Sequence, residues 1–191
     1  MTIDTLILIS TAISATSCCI WNNFIKNEDS AFIDSLTKVY NRHFFQKIEE
    51  KEMSGNFYYV VFADIDFFKS VNDTYNHDIG DIVLKEFSRI LKQTVKSSSD
   101  YVVRWGGEEF VLFLKVSNTD IFTEKVLFNR IDNLRNIIEK TIINTEMADI
   151  KITASFGLSV DPKKSLDERI KEADRNLYKA KNGGRNKVIK S

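Results

Sequence analysis

The chain has 191 residues, 43% of them hydrophobic and 28% charged. That is enough to bury a core in one domain with a modest extension, and too apolar for a disordered chain. The 27 basic and 27 acidic side chains cancel, so no global charge draws the chain to nucleic acid and no such partner is expected.

Residues 5–25 carry no charged side chain. Three readings of this stretch stay open. It is long enough to cross a bilayer as a helix, with Trp21 at the interface and Lys26 beyond it. It also places Leu6, Ile9, Ile13 and Ile20 roughly where a helix pairing with its own copy needs apolar residues. A removed signal peptide is the third, although Thr16-Ser17-Cys18 is a poor cleavage site and no basic start precedes it. Cys18 and Cys19 offer neither a disulfide framework nor zinc spacing. They read as small apolar residues of a reducing compartment, or as a palmitoylated pair near a membrane. The chain is therefore divided into residues 1–33, an apolar helix, and residues 34–191.

After Asp34-Ser35-Leu36-Thr37, residues 41–51 read as a helix packing through Phe44, Phe45 and Ile48, broken by Ser54-Gly55-Asn56. Residues 57–63 form a near-continuous apolar run, as a central strand covered on both faces requires. It runs into Asp64-Ile65-Asp66. A helical pattern follows Gly80 through Ile82, Val83, Phe87, Ile90 and Leu91, closed by Ser97-Ser98-Ser99. Residues 101–105 and 110–116 read as strands joined across Gly106-Gly107, because tight two-residue turns need positive φ. Residues 120–140 are an amphipathic helix and residues 151–160 a strand. Residues 165–181 are a helix with Ile170, Ala173, Leu177 and Ala180 inward, ended by Gly183-Gly184. A short strand at 187–189 closes an α+β domain of the ferredoxin-like kind, preceded by the N-terminal helix.

Asp64 ends a buried apolar strand, where a carboxylate needs compensation. A helix cap would supply it, and so would a hard cation: Mg²⁺ takes one or two carboxylates and leaves positions for phosphate oxygens. Asp66 would share the facing of Asp64 if the strand continued. Glu108 and Glu109 are strand neighbours, so only one is expected to face Asp64, with Phe110 facing as Glu108 does unless the turn twists. Alone, Gly106-Gly107-Glu108-Glu109 could equally be a solvated corner. Two strands each ending in an acid, one beside a glycine turn that admits a close ligand, favour a metal–phosphate site. Lys69, Lys181 and Arg185 would supply the cationic groups for phosphate.

These residues also carry a family resemblance. Arg104-Trp105-Gly106-Gly107-Glu108-Glu109-Phe110 resembles the signature of GGDEF (GGEEF) diguanylate cyclases. Asp34-Ser35-Leu36-Thr37 with Asn41-Arg42 resembles the family's opening element. The run from Asp64-Ile65-Asp66-Phe67-Phe68-Lys69 through Asn72-Asp73-Thr74 to His77-Asp78-Ile79-Gly80-Asp81 resembles its long second block. Ala173-Asp174, Tyr178-Lys179-Ala180-Lys181 and Gly184-Arg185-Asn186 resemble its closing block.

The resemblance implies a ferredoxin-like sheet related to the nucleotidyl cyclase and polymerase palm, condensing two GTP into cyclic di-GMP. It implies Mg²⁺, with Mn²⁺ as an alternative, held by Asp64, the Ile65 carbonyl and Glu108. Glu108 would also deprotonate the attacking 3′-hydroxyl. Asn72 and Asp81, with His77 nearby, would read guanine. Gly106 and Gly107 would make room for the nucleotide. The N–H groups of Phe67 and Phe68, with Lys69, Lys181 and Arg185, would bind phosphates, and Lys69 would stabilise the transition state. Such enzymes work as homodimers with one GTP per subunit, and the catalytic part belongs in the cytoplasm even if residues 5–25 anchor it to the inner membrane. Lys38-Val39-Tyr40 departs from the commoner Gly-Leu-Pro in a structural element. Ser97 stands where many members carry the Arg of an Arg-x-x-Asp product-inhibition site whose Asp is Asp100, so weak or absent feedback is expected. The competing expectation is a catalytically silent module that binds GTP or cyclic di-GMP.

Overall fold

A computed structural model describes residues 31–95, 97–116, 124–161 and 163–190. Residues 5–25, Cys18 and Cys19 lie outside these, and so do the readings made of them. Among the described residues no helix is long and apolar enough to cross a membrane.

The apolar run forms strand β2 (Tyr58–Ile65) at the centre of a six-stranded sheet. β2 pairs antiparallel with β4 (Glu109–Lys115) on one side and with β7 (Ala154–Ser159) on the other. β3 (Tyr101–Gly106) makes the hairpin with β4. The outer strands β1 (Tyr40–Asn41) and β8 (Val188–Lys190) run parallel to β3 and β7, giving the order β1-β3-β4-β2-β7-β8.

Alternation along β2 sends Val61, Ala63 and Ile65 to one face and Tyr58, Val60, Phe62 and Asp64 to the other. The first set joins a core with Val83, Phe87 and Leu91 of helix α3 (His77–Thr94) and Leu127 and Ile131 of helix α4 (Glu124–Lys140). The second face is covered by helix α1 (Phe45–Met53) and helix α5 (Leu166–Asn182). There Trp105 packs edge-on against Phe45 and Phe62. α5 starts at a capping box, with Ser165 and Glu168 satisfying each other's backbone N–H groups. The architecture is α+β, a mixed sheet with helices on both faces.

Three local expectations change. The helix read from Asn41 is split into a 3₁₀ turn, Arg42–Phe44, and α1, because the Asn41 side chain accepts from the His43 N–H at 3.0 Å and tightens the start. A further helix, α2 (Phe68–Tyr75), precedes α3 and is cut from it at Asn76, whose φ is +87°. The strand expected over 151–160 is shorter, and before it Ile143–Asn144 (β5) and Asp149–Ile150 (β6) form a separate small hairpin.

Candidate active site

Register places the acids. Asp64 on β2 lies directly opposite Glu109 on β4, and both strands end at the same edge of the sheet. The β3–β4 turn is made by Gly107 and Glu108, while Gly106 is still in β3, opposite Glu109. Gly107 takes φ +46°, the left-handed value that favours glycine. Phe110 is fully buried on the opposite face, edge-on to Phe87 at 5.2 Å, and anchors the hairpin. The expectation that only one glutamate could face Asp64 is therefore corrected. Glu108 belongs to the turn, so strand alternation does not apply to it, and both Glu108 and Glu109 repel the Asp64 charge.

Asp64 is almost wholly buried, at 3% exposure. Burial, against the pull of Lys181 and with the repulsion of Glu108 and Glu109, pushes its carboxyl up to about 6. Lys181, near the end of α5, holds it at 2.7 Å. Glu109 is also raised, by burial first, with Lys181 pulling it down and Asp174 and Glu108 pushing it up. Arg42 acts on Glu109 as well and lies over the Trp105 ring at 4.7 Å. The opening element thus contributes a cation to the site that was read from the sequence only as a motif.

Such a cluster suits a hard cation. Among the described residues no three acidic, histidine or cysteine side chains converge to hold a metal by themselves. Mg²⁺ needs only one or two carboxylates when substrate phosphates complete its shell. Glu108 and Glu109 both repel the Asp64 charge, and a cation bound beside Asp64 would relieve that repulsion.

Beyond the acids lie two loops. Phe67 (φ +56°) turns the chain into α2, whose N-terminus has no side-chain cap, so the first N–H groups remain available to an anion. Arg185 (φ +62°) follows α5, and its guanidinium stacks on the exposed Phe67 ring at 4.4 Å. Phe68 is buried, whereas Lys69, His77 and Asp81 are exposed and form no ion pair among the described residues.

Asn72 packs on Gly80, where α2 crosses α3. A Cβ on Gly80 would stand 1.9 Å from Asn72 Oδ1, and that oxygen is buried without a hydrogen-bond partner. Asp66 lies outside the acid cluster. β2 stops at Ile65, and the Asp66 carboxylate accepts from Ser155 Oγ and Thr153 Oγ1, both at 2.7 Å, and from the Asn186 N–H at 3.0 Å.

The family model described as Diguanylate cyclase, GGDEF domain, matches residues 31–187. Diguanylate cyclase A of Treponema denticola is 39% identical over 137 residues, 69% of this chain and 34% of its own. The probable diguanylate cyclase DgcT of Escherichia coli K12 is 38% identical over 180 residues, 90% of this chain and 38% of its own. The chain thus spans about a third of the length of these curated relatives. The GGDEF domain of DgcB from Caulobacter crescentus, solved with cyclic di-GMP, is 28% identical and superposes with a TM-score of 0.73 over 84% of this chain and 95% of that one. With the signature turn, the paired acids and the match over residues 31–187 in agreement, the chain belongs to the GGDEF diguanylate cyclase family.

Proposed function

We propose that this chain condenses two GTP into cyclic di-GMP and two pyrophosphates, as a homodimer that brings one GTP from each subunit face to face. The observation that carries this reading is Asp64 opposite Glu109 at the ends of β2 and β4, with Lys181 on Asp64 and Glu108 in the adjoining turn. Glu108 takes the proton of the 3′-hydroxyl. The freed oxygen attacks the α-phosphorus of the facing GTP and pyrophosphate leaves; the same step in the other direction closes the ring. Asn72 and Asp81 hold guanine, with His77 alongside, and Gly106 and Gly107 leave room for the nucleotide. The Phe67 and Phe68 N–H groups, Lys181 and Arg185 bind the triphosphate, and Lys69 offsets charge on the pentacoordinate phosphorus. Mg²⁺, or Mn²⁺ in its place, would be held by Asp64, the Ile65 carbonyl and Glu108, and would acidify the hydroxyl and neutralise the leaving pyrophosphate.

Incubation of the purified protein with GTP and Mg²⁺ tests the proposal. Cyclic di-GMP and pyrophosphate are expected, and Glu108→Ala should abolish both while leaving the circular dichroism spectrum unchanged. GTP binding without turnover in a verified dimer would make the chain a silent binding module instead.

A further inference from the structure

We propose that Asp66 is a positioning residue for triphosphate binding, whose buried carboxylate ties the Phe67–Phe68 loop to the Arg185 loop. The inference rests on the phosphate-binding role given to those loops above. By the strand period Asp66, two residues after Asp64, would share its facing. The fold commits it elsewhere. It is 4% exposed, and three donors already engage its two oxygens: Ser155 Oγ on Oδ1, and Thr153 Oγ1 and the Asn186 N–H on Oδ2. Its own N–H donates to the Thr153 carbonyl at 2.9 Å.

The residues around this carboxylate are strained. Phe67, Arg185 and Asn186 all have left-handed backbone, with φ of 56°, 62° and 46°. Asparagine takes that conformation readily, but Phe and Arg keep it only where their surroundings over-determine it. Here the contacts close on themselves. Asp66 binds Asn186, Arg185 precedes Asn186 and stacks on Phe67, and Phe67 follows Asp66. Asn186 is further fixed to α4, accepting from Arg135 at 2.9 Å and donating to Glu139 at 2.9 Å. The Arg185 N–H donates to the Ala180 carbonyl at 3.0 Å, which seats the loop on α5. The uncapped start of α2 and the Arg185 guanidinium are therefore held in one fixed relation, and Asp66, which precedes Phe67 in the chain and accepts from the Asn186 N–H, links the two loops. Without its charge, the two halves of the phosphate site are free to separate.

Asp66→Asn keeps the size and removes the charge. Two measurements on the full chain test the proposal: affinity for guanosine 5′-[α,β-methylene]triphosphate with Mg²⁺ by calorimetry, and amide hydrogen exchange. The variant should bind the analogue about tenfold more weakly, the order expected for a lost charge-assisted hydrogen bond. Its Mg²⁺ half-saturation should change less than about twofold, and exchange should quicken in residues 67–69 and 184–187 together while β2 stays protected. Unchanged affinity in the folded variant, or loosening of only one loop, overturns the proposal. So does a Mg²⁺ half-saturation that shifts more than the affinity, since Asp66 would then be a metal ligand. If Asp66→Asn does not fold, Ser155→Ala removes a single donor, and the same paired loosening and weaker binding are expected of it. A wild-type chain that binds the analogue but makes no cyclic di-GMP defeats the cyclase reading and leaves this one to stand on the binding and exchange results.

Discussion

At Asp64 the protein keeps a charge that its surroundings disfavour. The folded carboxyl is raised to about 6, against 3.8 for the free side chain. A group raised on folding adds stability below its unfolded value, and that stability is lost as pH climbs through the folded value. The Asp64 contribution to stability in the absence of metal should therefore fall between about pH 4 and 6, by roughly 2–3 kcal/mol. Asp64→Asn should remove most of this dependence, melting higher than wild type at pH 7.5 and no higher at pH 4.5, with cyclase activity lost. Thermal unfolding in chelator at the two pH values decides it, and a lower melting point at pH 7.5 would refute the electrostatic account. Asp100 differs in kind. Its buried carboxylate accepts from the Lys115 N–H at 2.9 Å and the Ser97 N–H at 3.3 Å, and pairs with Arg130 at 3.4 Å. It closes a loop and caps the end of β4, while Ser97 supplies no guanidinium. Asp100→Ala is expected to cost about 3 kcal/mol of stability, as breaking a buried pair does. Product inhibition should be weak before and after the substitution, measured as initial rates with added cyclic di-GMP. Strong low-micromolar inhibition abolished by Asp100→Ala would contradict this.

Between elements, α5 packs backbone to backbone on β7. A Cβ on Gly157 would lie 2.0 Å from the Ala173 carbonyl oxygen and 2.2 Å from the Leu177 nitrogen. The obstacle is backbone, so no rotamer change can relieve it, and the helix itself must move. Gly157→Ala should destabilise by about 1–3 kcal/mol or more in urea unfolding. It should also weaken GTP binding, since α5 carries Lys181 against Asp64; an unchanged urea midpoint would show that the helix shifts freely. Nothing adjacent in sequence marks Gly157, because its partners lie sixteen or more residues further along. The same reason separates what could be read from what could not. β2 was legible because burial on both faces leaves an unbroken apolar run, and the β3–β4 hairpin because of its glycine pair. α2 was missed because Phe67 and Asn76 bound it with left-handed backbone at residues that pattern reading does not flag. β5 and β6 are too short for alternation to register. Glu108 was placed by a strand rule although it lies in the turn. Asp66 could not be assigned at all, since its donors come from residues 153, 155 and 186.

At the scale of the whole molecule, the proposed chemistry demands more than one chain. The proposed site, with Asp64 opposite Glu109 at the ends of β2 and β4, serves one GTP, whereas cyclic di-GMP contains two 3′–5′ linkages and so needs two GTP. If each Glu108 deprotonates the GTP in its own subunit, a dimer with one Glu108→Ala subunit can form only one linkage. Mixing wild type with a large excess of Glu108→Ala should then shift the product from cyclic di-GMP to the linear dinucleotide pppGpG. Dilution of wild type should lower the rate per mole of chain, because the active species is second order in protein when association is weak. Chromatography of the products across mixing ratios and dilutions tests both. If the cyclic product persists unchanged with mutant in excess and the rate per chain ignores dilution, each chain must complete both linkages alone, and the two-subunit arrangement must be abandoned.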